Sequence, residues 1–207
     1  MNREHGERFL KMLKEEAGED GIIGEDLGTV PEYIRPSLLS HGVPGFRIPY
    51  WELEWDTRLT PPDVYDECAV ATYATHDHDP LRVMWERWMT TIAKGESGSH
   101  ADAEARDRAW WEVRRLAEWA GFDVPRITPF EQVHALLIRA LLRLPCRTVI
   151  FMVTDLFGTA QRFNVPGAVA ESNWSARIRT SVRDWDADPR FKRFMEEIHQ
   201  DLMRSRG

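Results

Sequence analysis

Apolar positions along the 207-residue chain switch between a short, continuous pattern and a helical period, and the alternation predicts a parallel sheet covered by helices. Between Arg8 and Gly18, the residues Phe9, Leu10, Met12 and Leu13 fall on a face opposite Lys14 and Glu15, which predicts a helix closed by the glycine. Ile22-Ile23-Gly24 follows as a short apolar run whose C-terminal end turns acidic at Glu25-Asp26, the pattern of a buried parallel strand. Pro31 at the first helical position, with Glu32 in the first turn, opens a second helix that Gly42 closes. Three more runs read as strands: Gly45-Phe46-Arg47-Ile48, Val70-Ala71-Thr72-Tyr73, and Thr148 to Thr154 with Val149-Ile150-Phe151-Met152-Val153.

Helix signals separate these strands. Asp79 as a cap and Pro80 as a first residue start a helix that carries Leu81, Val83, Met84, Trp85 and Trp88. Thr128-Pro129-Phe130-Glu131 has capping-box spacing and opens a helix through to Leu142. The segment 95–100 reads as a surface turn. Two stretches break the alternation, 49–67 and 155–188; each follows a strand, which places both at the face where parallel barrels build their active sites.

Composition narrows the class. A hydrophobic fraction of 43% suits a folded globular chain, and a formal charge of −7 without any Lys/Arg stripe argues against nucleic acid as a partner. Glu4, Glu7 and Lys11 interrupt the N-terminal segment, which reads as neither signal peptide nor membrane span; a cytoplasmic location is expected. Cys68 and Cys146 each lie beside apolar residues and read as packing thiols of a reducing compartment. Nine tryptophans are many for this length: each can fill a core gap or stack on a sugar ring.

The chemistry-bearing residues gather at two strand ends, Glu25-Asp26 and Thr75-His76-Asp77-His78-Asp79. Carboxylates delivered by different strands can converge on a glycosidic bond, one protonating the leaving oxygen while another stabilises positive charge at the anomeric carbon. Helix capping is the competing role for Asp26 and Asp79. Zinc binding by the His-Asp-His-Asp cluster is disfavoured, because adjacent residues of an extended tip point to alternate sides and no further ligand motif completes a set. A Ser-His-Asp hydrolase lacks its G-x-S-x-G elbow, and Gly21, Gly24 and Gly28 do not form a nucleotide-binding fingerprint. No metal and no cofactor are expected.

The strings Gly24-Glu25-Asp26-Leu27-Gly28-Thr29-Val30, Pro44-Gly45-Phe46-Arg47, Tyr73-Ala74-Thr75-His76-Asp77, Asp155-Leu156-Phe157-Gly158, Asn164-Val165-Pro166-Gly167 and Asn173-Trp174 together resemble glycoside hydrolase family 77 in order and spacing. The resemblance implies an α/β fold, a partial (β/α)8 barrel made of about the last four β/α units, with residues 1–207 as the C-terminal part of the catalytic barrel. It implies a retaining 4-α-glucanotransferase acting on maltooligosaccharides or α-glucans, with Glu25 as acid/base, Asp77 as transition-state stabiliser, and His76 and Asn164 as substrate-binding residues. It assigns no role to His78 or Asp79. The family's nucleophilic Asp belongs to an upstream Arg-x-Asp-His type string, and none occurs in the 24 residues before Glu25. The expectation is therefore a fragment lacking its nucleophile, with the missing N-terminal half of the barrel as a partner. An α-amylase-like hydrolase fragment and a non-catalytic glucan-binding remnant stay open as alternatives.

Overall fold

The computed structural model describes residues 2–18, 21–96, 98–178 and 180–205. Its centre is a three-stranded parallel sheet in sequential order: β1 (Gly45–Arg47), β2 (Ala69–Ala71) and β3 (Thr148–Val149). Phe46 pairs with Val70, and Ala71 with Val149. Parallel neighbours in sequential order are what successive β/α units produce. β2 is buried at all three residues, as a central parallel strand covered on both faces requires.

The first expected strand shrinks to a single parallel bridge, Gly24 to Gly45. The last is shorter than its apolar run suggests: β3 stops at Val149, and Val153–Leu156 forms a short helix, α6. The buried carboxylate of Asp155 accepts the Leu81 backbone N–H at 2.8 Å and the Asp155 carbonyl accepts from His134, so tertiary hydrogen bonds override the β propensity of this segment.

Helix α1 (Asn2–Ala17) begins six residues before the expected Arg8 and ends at Gly18, whose φ of +78° provides the left-handed stop. Helix α2 (Ile34–Ser40) starts three residues after Pro31 and carries Pro36 in its first turn, where a missing N–H costs no helical bond. Helix α3 (Leu81–Gly95) buries Leu81, Met84, Trp85, Met89 and Ile92, an i, i+3, i+4 stripe. Asp79 does not cap it: the first N–H is satisfied by Asp155.

Helix α4 (His100–Ala120) was not anticipated. Ser99 and Asp102 form a capping box at its start, Gly121 ends it in the left-handed conformation, and its face Ala109, Val113, Leu116, Ala117 and Ala120 packs on α3. Most of the turn read at 95–100 is this α3–α4 connection; Ser97 lies outside the described residues. The close crossing requires glycine at 95, where a Cβ would sit 2.3 Å from the Arg106 Cβ and 2.7 Å from the Asp102 carbonyl.

Helix α5 (Phe130–Leu142) forms as expected but without the capping box. Its N-cap is Pro129, Thr128 donates its hydroxyl to the Arg126 carbonyl, and Glu131 pairs with Arg82. A final helix, α7 (Pro189–Ser205), also went unread and packs on α5. The core lies between the sheet and α3, α4 and α5. Trp85 is fully buried there with its indole N–H on the Thr128 carbonyl at 2.8 Å, and truncating it to alanine costs about 3–5 kcal/mol.

Candidate active site

Of the four site residues expected from the sequence, His76 and Asp77 lie in the turn after β2, Glu25 follows the Gly24–Gly45 bridge, and Asn164 lies on the loop after β3 and α6. β2 runs out through Thr72 and Tyr73 into a turn in which the His78 N–H donates to the Thr75 carbonyl at 3.1 Å. The Thr75 backbone N–H in turn donates to His78 Nδ1 at 3.1 Å, with the Thr75 hydroxyl 2.9 Å from the same nitrogen. Nδ1 is therefore an acceptor, which leaves the proton of the neutral ring on Nε2. Burial pushes the His78 pKa below its ordinary value, while Asp77 and Glu25 act weakly the other way. The ring of the half-exposed Trp51 meets His78 edge-on at 4.6 Å.

This turn puts His76 and Asp77 on its outer side. His76 Nε2 lies 3.3 Å from Asp77 Oδ1. Asn164, 87 residues further on, donates its side-chain amide to the same Oδ1 at 2.6 Å. His76, Asp77 and Asn164 are thus brought together, the last by the loop that follows β3. Glu25 is exposed directly after the Gly24 bridge, and its charge reaches the His78 ring. It forms no ion pair among the described residues.

Neither acidic neighbour is a helix cap. Asp26, with 1% of its side chain exposed, accepts from Arg35 Nε at 3.0 Å, Arg47 Nη1 at 3.1 Å and the Phe46 backbone N–H at 2.6 Å. Gly45 permits this approach, since a Cβ there would lie 2.7 Å from Asp26 Oδ1. Asp79 is gripped by Arg87 from α3 and by Arg162 from the loop. Both acids hold the tips of the strands in place.

Sequence reading missed two contributors. Arg162 joins the loop to the β2 tip, and its signal was its place two residues before Asn164. Trp174, quoted without a role, has its ring 5.1 Å from that of His76. It adopts φ +61°, with its N–H on the Phe163 carbonyl at 2.7 Å, and Asn173 braces the neighbouring Val165 and Ala168 through its side-chain amide. Of the nine tryptophans, Trp51, Trp55, Trp111 and Trp174 are exposed, while Trp85 and Trp119 are core. Cys68 and Cys146 are free thiols, Cys146 buried and its pKa raised to about 11 by burial. Among the described residues no cluster of three His, Cys, Asp or Glu side chains is arranged to hold a metal, and no helix is long and apolar enough to cross a membrane.

A sequentially ordered parallel sheet with helices packed on it, and histidines beside exposed tryptophans past the strand C-termini, fit the class of α/β barrel proteins. Residues 1–182 match the family model described as 4-alpha-glucanotransferase, and the chain belongs to that family, glycoside hydrolase family 77. The 4-alpha-glucanotransferase of Chlamydia caviae is 30% identical over 173 residues, covering 78% of this chain and 29% of the relative. That of Mycobacterium bovis is 30% identical over 168 residues, covering 74% of this chain and 22% of the relative. Among solved structures, amylomaltase from Streptococcus agalactiae in complex with acarbose aligns with TM-score 0.60 at 24% identity, covering 91% of this chain and 33% of that one. Amylomaltase from Corynebacterium glutamicum aligns with TM-score 0.54 at 20% identity, covering 74% and 24%. At these identities the structural likeness concerns the fold. The chain spans less than a third of the length of the curated relatives it matches.

Proposed function

We propose that this chain is the C-terminal part of a (β/α)8-barrel 4-α-glucanotransferase, about its last four β/α units, and carries the acid/base side of a site that passes 1,4-α-glucan segments between maltooligosaccharides with retention. Glu25 protonates the departing glycosidic oxygen and then deprotonates the acceptor hydroxyl. Asp77 stabilises the oxocarbenium-like transition state, His76 and Asn164 bond sugar hydroxyls around it, and Trp51 and Trp174 offer ring faces for the sugars. A retaining cycle also needs a nucleophilic carboxylate about 5 Å from the acid. That group comes from a barrel segment outside these 207 residues, so the isolated chain transfers nothing from maltotriose. The free thiols of Cys68 and Cys146 suit a reducing, cytoplasmic setting.

The observation that carries this reading is the convergence on Asp77 Oδ1 of Asn164 at 2.6 Å and His76 at 3.3 Å, with an exposed Glu25 after the Gly24–Gly45 bridge whose charge reaches the adjacent His78. The test uses the chain reconstituted with the N-terminal half of the barrel and follows fluoride release from α-glucosyl fluoride, a donor whose leaving group needs little protonation. Glu25→Gln should lose about 10²–10⁴-fold on maltotriose and regain most of the glycosylation step on the fluoride. Asp77→Asn should be poor on both donors, because its charge is needed whatever the leaving group. Equal rescue of the two variants, or rescue of Asp77→Asn alone, overturns the assignment.

A further inference from the structure

Arg162 spends all three guanidinium nitrogens on bonds that tie the loop after β3 to the tip of β2. Nη1 donates to Asp79 Oδ1 at 2.7 Å, Nη2 to the Asp77 backbone carbonyl at 3.0 Å, and Nε to the carbonyl of Asn164 in its own loop at 3.1 Å. Asp79 is held from behind by Arg87 of α3, so the acceptor is anchored to the core helix layer. The loop braces itself internally: Asn173 bonds Val165 and Ala168, Trp174 bonds the Phe163 carbonyl, and Gln161 bonds the Arg177 carbonyl. Those bonds give the loop a shape but do not attach it to the tip. Among the described residues, the hydrogen bonds that cross from segment 159–178 to segment 72–79 come from Arg162 and Asn164 alone.

We infer that Arg162 is a positioning residue: it clasps the loop against the β2 tip and thereby sets the Asn164 amide on Asp77 and the Trp174 ring beside His76. This rests on the role proposed above for Asp77. The planar guanidinium is suited to the task because it presents donors in three fixed directions, which a lysine ammonium on a flexible stem does not. The consequence reaches the carboxylate itself. With Asn164 and His76 both at Oδ1, Asp77 Oδ2 has no hydrogen bond among the described residues and is left to accept from a sugar hydroxyl. Release of the clasp frees Asn164 to leave Oδ1 and removes the Trp174 wall, so the site loses a donor and an aromatic surface in one step.

The experiment is ¹⁹F NMR on the full chain with 5-fluorotryptophan at its nine tryptophans, the Trp174 resonance being assigned by its loss in Trp174→Phe. In Arg162→Ala the Trp174 resonance should move to the position of a solvent-exposed indole, while those of the core residues Trp85 and Trp119 stay in place. Arg162→Lys, which keeps a charge near Asp79 but cannot serve both carbonyls, should move it part of the way. An unmoved Trp174 resonance in Arg162→Ala with native Trp85 and Trp119 signals overturns the clasp. Should Arg162→Ala lose the core signals as well, Asp79→Asn decides: displacement of Trp174 alone supports the clasp, and an unmoved resonance or a general collapse overturns it. A maltotriose titration of the same samples separates the two readings. Failure of the unmodified chain to bind maltotriose counts against the proposed glucan site and leaves the clasp to the spectrum. Where it binds, Arg162→Ala should raise Kd about tenfold through the loss of an aligned donor, and an unchanged Kd refutes the functional half of the inference.

Discussion

Replacing Asp26 by alanine isolates the ion cluster that holds the Glu25 strand tip on the sheet. The carboxylate is fully enclosed and takes three donors: Arg35 Nε, Arg47 Nη1 and the Phe46 N–H. Arg35 keeps a second anchor after the change, because Glu52 accepts its two terminal nitrogens at 2.7 and 2.8 Å. Arg47 is worse placed. Its side chain is 12% exposed, and the carboxylate left to it, Asp66, is 3.6 Å away and half in solvent. Breaking a buried pair by removing one partner costs about 3–5 kcal/mol, and the orphaned Phe46 N–H belongs to the same penalty. With Arg35 still satisfied the expected cost sits at the lower end, about 3 kcal/mol. For a chain of this size that lowers Tm by about 6–12 °C. Asp26→Asn retains an oxygen for the Phe46 N–H and loses only the charge, so it should cost about half as much. The assay is thermal and urea unfolding by circular dichroism at pH 7, with unchanged m-values expected for both variants. A loss below about 1 kcal/mol for Asp26→Ala, or identical losses for alanine and asparagine, would refute the argument that charge burial dominates here.

The remaining predictions concern the core side of the site. Burial raises the Asp155 pKa to about 6 from an ordinary value of 3.8. A carboxyl with a raised folded pKa stabilises the fold below its unfolded pKa and loses that contribution as pH climbs to the folded value, so wild-type stability should fall between about pH 4 and pH 6. Asp155→Asn keeps an acceptor for Leu81 and should flatten that slope, gaining about 2–3 kcal/mol relative to wild type between pH 4 and pH 7; parallel profiles from urea titrations at both pH values would contradict this. Ser99→Ala removes the hydroxyl that accepts from Asp102 N–H at 3.3 Å in the α4 capping box and should cost about 1 kcal/mol, read as reduced amide protection in the first turn of α4 by hydrogen exchange. An unchanged exchange rate there would mean that packing on α3 alone fixes this end.

The parallel order of the strands and the helices α3 and α5 were legible because buried β/α units leave a strong apolar signature, and Gly45, Val70 and Thr148 all mark real strands. The strand ends were not. The apolar run at 149–153 carries the same residues whether it pairs or turns, and what turns it is a hydrogen bond from Leu81, 74 residues away. Helix α4 escaped because its charged stretch His100 to Arg108 hides a narrow alanine stripe. Its N-terminal signal, Ser99 with Asp102, has aspartate where the capping pattern usually carries Glu or Gln. For the site, acidic tips and the Asn164 loop could be read, but their geometry could not. No local pattern says that Arg162 reaches back across 83 residues to Asp79, or that Asp26 takes two arginines in place of a helix terminus.

That division of acids follows a common physical logic at both tips. Each tip offers adjacent or near-adjacent carboxylates, and in each the one that turns inward is bound by two guanidinium groups: Asp26 by Arg35 and Arg47, Asp79 by Arg87 and Arg162. A carboxylate so held by charge-assisted bonds is fixed in place, which suits it to support. Among the described residues neither the Glu25 nor the Asp77 carboxylate pairs with an arginine, and Arg162 meets only the backbone carbonyl of Asp77. Glu25 is exposed without an ion pair among the described residues, and Asp77 meets a neutral amide and an imidazole. At the first tip the two acids are adjacent, Glu25 exposed and Asp26 buried, while at the second the turn closed by the His78 N–H on the Thr75 carbonyl sets Asp77 apart from Asp79.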